Sequence, residues 1–69
     1  MVKYDCHGKT YNEVIDELEN WLLIHYSETP FVIITGNSDE MKKVVMNELD
    51  ALDFKYGVPI DNNGIIKVF

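Results

Sequence analysis

The 69 residues contain no arginine, one cysteine, two prolines and four glycines, and the longest wholly apolar runs, Trp21 to Ile24 and Phe31 to Ile34, have four residues each. Without arginine there is no planar fork to grip a carboxylate or phosphate through two parallel hydrogen bonds. A single cysteine, Cys6, excludes an internal disulfide, and a small domain without one fits a reducing compartment, so a cytoplasmic location is expected. The apolar runs are too short to span a bilayer. The first residues already read as a strand, so neither a signal peptide nor a membrane partner is expected. No set of His, Cys or carboxylates has the spacing of a structural zinc site. Positive charge is scarce as well: six lysines face twelve acids, for a net charge of -6. Proteins that grip phosphates usually carry the opposite balance, so any nucleic-acid function must rest on a local patch.

What is present is enough for one folded domain. Hydrophobic residues make up 46% of the chain, against disorder. A domain this small buries only about 60% of its unfolded surface, so a monomer would have a thin core and a weak homodimer, or docking on a larger partner, would add stability. Val2 to Cys6 reads as a short strand ended by Gly8. Thr10 and Glu13 have the spacing of a capping box, and Val14, Leu18, Trp21, Leu22 and His25 recur at helical spacing, so a helix is expected from Tyr11 to Tyr26. Pro30 prevents its continuation. Phe31 to Thr35 is a continuous apolar, β-branched run, the pattern of a central parallel strand. Ser38 caps a second helix that carries Asp39 and Glu40 in its first turn and runs to Leu52, its apolar stripe interrupted by Glu48. Phe54 to Ile60 is a third strand, with Gly57 and Pro59 pointing to a bulge or an edge position. Asp61 to Gly64 is a hairpin turn signal, and Ile65 to Phe69 is the last strand.

The expected fold is α/β: a two-layer sandwich, β-α-β-α-β-β, with a four-stranded mixed sheet and two helices on one face. If the first two strands are parallel, Asp5-Cys6-His7-Gly8 and Thr35-Gly36-Asn37-Ser38 share one sheet edge, and ligands in α/β sheets bind outside the carboxyl ends of the strands. The start of the second helix turns free N–H groups into that space. The hairpin around Asn62 and Asn63 is expected to lie away from it. Strand alternation sends Val2, Tyr4 and Cys6 toward the helices and Lys3, Asp5 and His7 to the other side. Asp5 and His7 then stand roughly 6.6 Å apart, close enough for the carboxylate to orient the imidazole directly or through water.

Three stretches resemble the motifs of the Smr, or small MutS-related, domain. Asp5-Cys6-His7-Gly8-Lys9-Thr10 is similar to the family's Asp-Leu-His-Gly-x-Thr opening. Ile33 to Ser38 resembles its second motif, written His-Gly-x-Gly or Thr-Gly-x-Gly, and Gly64 to Val68 resembles its closing Gly-x-x-x-Val strand. Cys6 stands where leucine is usual, Thr35 replaces the histidine of the second motif, and Ser38 replaces its last glycine. The resemblance implies an endonuclease on structured nucleic acid, RNA ahead of DNA. It also implies Asp5 and His7 as the catalytic pair and Gly36 to Ser38 as a substrate-binding loop.

Two functional classes follow. In the first, the chain is a nuclease: His7 takes the proton of a 2′-hydroxyl, Asp5 holds the ring in the right tautomer, and phosphate is held by Thr35, Gly36, Asn37, Ser38, Lys9, Lys42 and Lys43. The scheme requires no cofactor, although Asp5 could hold Mg²⁺ in another. In the second, the chain is a non-catalytic adaptor that binds nucleic acid, a ribosome-associated partner or another protein. Each motif also has a plain structural reading: Asp5 and His7 as polar residues ending a strand, Gly36 to Ser38 as a capped turn, His25 as a helix-end residue, and Cys6 as a small buried hydrophobe.

Overall fold

The two helices begin where side chains can satisfy their first free N–H groups. A computed structural model describes residues 2–69. Helix α1 (Tyr11–Ile24) opens on a reciprocal capping box: the Glu13 N–H donates to Thr10 Oγ1 at 3.1 Å and the Thr10 N–H donates to Glu13 Oε1 at 2.8 Å. Helix α2 (Asp39–Ala51) opens on Ser38, whose Oγ accepts from the Met41 N–H at 3.2 Å. The strands are β1 (Lys3–Asp5), β2 (Phe31–Ile34), β3 (Tyr56–Gly57) and β4 (Ile65–Val68). They form one mixed sheet in the order β1-β2-β4-β3, with β1 parallel to β2 and β4 antiparallel to both its neighbours. Both crossovers, β1-α1-β2 and β2-α2-β3, step in the same direction along the sheet. Shared handedness then puts both helices on one face, which gives the two-layer α/β sandwich expected from the pattern.

The core lies between those layers. Val14, Leu18 and Leu22 of α1 and Val45 and Leu49 of α2 are wholly buried against Phe31, Ile33, Ile66 and Val68. Burying each such side chain contributes about 1.5–3 kcal/mol. Trp21 closes the β1 side, edge-on to Tyr4 at 5.4 Å and to Phe31 at 5.0 Å between ring centroids. Tyr4 and Cys6 are buried and Lys3 and Asp5 exposed, as alternation requires, and His7, in the turn beyond β1, is exposed too.

Two elements are shorter than their sequence pattern. α1 ends at Ile24, and a 3₁₀ turn covers Tyr26–Glu28. His25 leaves helical geometry, its ring bonded to the Glu28 carboxylate three residues on, and the largely exposed Tyr26 ring lies 5.3 Å from that of Phe54. The third strand spans two residues rather than Phe54 to Ile60. Phe54 instead gives its N–H to the Leu49 carbonyl at 2.9 Å, Pro59 has no N–H to give, and Ile60 is fully exposed.

That Phe54 bond, with the Asp53 N–H on the Asp50 carbonyl at 3.1 Å, closes α2 in a Schellman motif whose left-handed position is held by Asp53 at φ +63°. Glycine is at ease there, and an acid is poorly placed beside a helix C-terminus. Asp53→Gly should stabilise the fold by about 0.5–1 kcal/mol, read as a higher midpoint in urea at constant slope.

Glu48, the acid inside the α2 stripe, is half-buried, and burial followed by the nearby Glu19 carboxylate raises its pKa. An acid raised in the folded state favours folding below its unfolded pKa and loses that advantage as pH rises through the folded value. Glu48→Gln should therefore be more stable than the natural chain at pH 7, with the gap closing as pH falls below the unfolded glutamate value of about 4.3. Thermal melts across that range would check the sign.

Candidate functional site

β1 continues its ladder for one residue beyond the strand: the Cys6 N–H donates to the Ile34 carbonyl at 2.9 Å. The chain then turns sharply, with Gly8 at φ +77° and the Lys9 N–H on the Cys6 carbonyl at 3.0 Å. Next to it, β2 is followed by buried Thr35 and by Gly36 at φ +68°. Both turns need a left-handed residue, which is glycine's role. The parallel pairing of Asp5 with Ile34 thus brings Asp5-Cys6-His7-Gly8 and Thr35-Gly36-Asn37-Ser38 to one edge.

A third segment joins them. The N–H groups of Thr35 and Gly36 both donate to the Gly64 carbonyl, at 2.9 and 3.0 Å. Thr35 Oγ1 adds bonds to the carbonyls of Gly36 at 3.1 Å and Gly64 at 3.3 Å. The Gly64 N–H donates to Asn62 Oδ1 at 2.9 Å. The Asn62–Asn63 loop, expected at a distance, lies at this edge instead. The reason is topological: β4 runs antiparallel to β2, so it starts where β2 stops. Gly64 sits tightly, since a Cβ there would meet Asn62 Oδ1 at 3.3 Å and the Gly36 Cα at 3.8 Å.

The polar side chains are engaged in particular ways. Asp5 Oδ1 accepts the backbone N–H of His7 at 2.8 Å, an Asx-turn that fixes the end of β1. Among the described residues no hydrogen bond joins that carboxylate to the His7 ring. His7 is exposed. Lys9 turns toward the helices, paired with Glu17 at 3.0 Å and 5.9 Å from the Tyr4 ring centroid; Glu17 raises its pKa. Thr35 supports the loop from within. Gly36 and Asn37 are exposed, but the Gly36 N–H is already used. Lys42 and Lys43 follow Asp39 and Glu40 on α2, so acids stand at the helix start that would otherwise attract an anion.

Cys6 is 3% exposed, and burial, with the Asp5 carboxylate second, pushes its thiol pKa up to about 11, so it stays protonated and inert. Burial and then Glu17 push the Tyr4 phenol up to about 12. His25 lies at the other end of α1, its ring centroid 4.4 Å from that of Trp21. No group of three or more His, Cys, Asp or Glu side chains gathers as metal ligands among the described residues.

Compared with protein-family models, curated proteins and solved structures, the chain matches none. The likeness to the Smr pattern therefore stands on the three motifs alone. The fold draws those motifs to one edge: the first ends β1, the second ends β2, and the third begins β4. Sequence reasoning named the first two as site segments and missed Asn62 and Gly64. Their signal was available, because a strand that returns antiparallel beside β2 must begin at its carboxyl end. On the far side of the sheet from β1, a shallow depression of about 280 Å³ is lined by Gly57, Val58, Pro59, Lys67 and Phe69.

Proposed function

We propose that the chain is an Smr-like domain that engages structured RNA at the edge shared by His7, Gly36 and Gly64 and cleaves it with His7 as general base. The observation that supports this reading is the parallel pairing of β1 with β2, after which exposed His7 and the loop at Gly36 both follow strand ends at the carboxyl edge. Histidine is the commonest general base in such proton transfers. His7 would take the 2′-hydroxyl proton, the 2′-oxygen would attack the adjacent phosphorus, and the bond from phosphorus to the 5′-oxygen would break. The products are a 2′,3′-cyclic phosphate and a 5′-hydroxyl that takes its proton from solvent. Asp5 serves through the backbone, holding the strand end from which His7 projects. The amides of Asn37 and Ser38 would steady charge on the phosphate.

A second reading, a binding domain without cleavage, is favoured by the hydrogen bond that commits Asp5 to the backbone and by the ion pair that commits Lys9 to Glu17. Its partner would be RNA, DNA, or a ribosome-associated or other protein. Incubation with structured RNA and with DNA, with and without EDTA, separates the readings. Discrete RNA cuts insensitive to EDTA support the nuclease. Retardation of RNA without cuts supports the binding domain. Absence of both overturns the RNA reading.

A further inference from the structure

Charge in this protein is divided between the two faces of the sheet. The register places Lys3, Val32, Lys67 and Gly57 in one row across the strands and Asp5, Ile34 and Ile65 in another. Alternation turns these rows away from the helices. Lys55, whose carbonyl accepts the Phe69 N–H at 2.9 Å, extends the β3–β4 pair by one residue, and alternation from Tyr56 turns it to the same side. Lys3, Lys67 and Lys55 thus share the helix-free face with Asp5, three lysines to one acid among these strand residues, on a chain of net charge -6. The helical layer carries most of the acids.

The same face is apolar at its centre. Val32, Ile34 and Ile65 are only half-buried, although the unbroken run Phe31 to Ile34 has the composition of a strand covered on both sides. Two exposed rings flank this centre, Phe69 at 60% exposure beyond β4 and His7 beyond β1. The Phe69 ring centroid is 5.9 Å from Lys67 Nζ.

We infer that single-stranded RNA lies across the helix-free face of the sheet, its phosphates on Lys3, Lys55 and Lys67 and its bases over Val32, Ile34 and Ile65, so that it arrives at His7 from that side. The inference rests on the RNA reading above and names the surface used. A polyanion is repelled by the acidic helical layer and meets local positive charge on this side. Bases need an apolar platform, and single strands leave their faces free for one. An acidic protein segment would satisfy the lysines and the apolar centre, but only a strand of RNA also gives His7 a reactant. The surface differs from the start of α2, where Lys42 and Lys43 follow two acids.

The test compares two double variants of equal net charge, Lys3→Gln/Lys67→Gln and Lys42→Gln/Lys43→Gln. Binding of a fluorescent ten-nucleotide oligouridine is followed by anisotropy over a range of salt, and thermal melts verify that each variant is folded. Removing two phosphate contacts from a single strand should reduce the slope of log affinity against log salt by about 1.4. That loss is expected for Lys3→Gln/Lys67→Gln. If it appears with Lys42→Gln/Lys43→Gln instead, RNA runs along α2 and the inference fails while the RNA reading stands. If the natural chain binds no oligouridine and no structured RNA, the reading itself fails. If it binds no RNA but an acidic amphipathic peptide, and Ile34→Lys abolishes that binding, a protein occupies the face and the inference is overturned.

Discussion

His7→Ala is expected to slow RNA cleavage by roughly 10²–10⁴-fold, the usual contribution of a general base. Stability should stay within about 0.5 kcal/mol of the natural chain, because the side chain is exposed at a strand end. The informative partner is Asp5. Its carboxylate is bonded to the His7 backbone N–H, and an asparagine oxygen can accept the same bond. Asp5→Asn should therefore keep most of the rate. Asp5→Ala should lower it, by loosening the turn from which His7 projects. Single-turnover rates for the three variants, with melting temperatures beside them, check this. An Asp5→Asn rate as low as that of His7→Ala, with the double variant no worse, would mean that the carboxylate acts on the ring and the pair works as a unit. A melting temperature that falls sharply in His7→Ala, with cleavage per folded molecule unchanged, would make His7 structural.

The topology was legible because strong local signals agreed with one another. The capping box at Thr10, the Ser38 cap, the apolar run at Phe31 and the order of elements all point to the same sandwich, and the shared edge follows from parallel pairing. What could not be read was local competition for hydrogen bonds. Nothing in the spacing of Asp5 and His7 says whether the carboxylate takes the ring or the backbone N–H two residues on. The backbone option needs no partner from elsewhere, and it is the one formed. Lys9 is a similar case: Glu17 lies eight residues away and becomes its neighbour only when α1 packs over β1. The third strand failed for a related reason. Its apolar residues suit a strand, but Phe54 is used to close α2 and Pro59 cannot extend the ladder.

Phe31→Ala should cost about 3–5 kcal/mol, the range for removing a fully buried aromatic ring. Phe31 has no exposure, and its ring meets Trp21 of α1 at 5.0 Å and Phe54 at 6.0 Å, so the loss would open a cavity where a strand, a helix and the segment after α2 converge. A domain of this size has a total stability of only about 3–10 kcal/mol at the usual value per residue. The variant should therefore be partly or wholly unfolded at 37 °C in urea-free buffer, as judged by circular dichroism. The next residue gives the contrast. Val32 lies on the helix-free side and is half-buried, so Val32→Ala should cost less than about 1.5 kcal/mol. The two substitutions together measure how unequally β2 is covered. Equal large losses would mean that Val32 is also packed in the free protein, which would leave no open sheet face for RNA. A small loss at Val32, accompanied by weaker oligouridine binding, ties that uncovered side of the strand to the RNA surface.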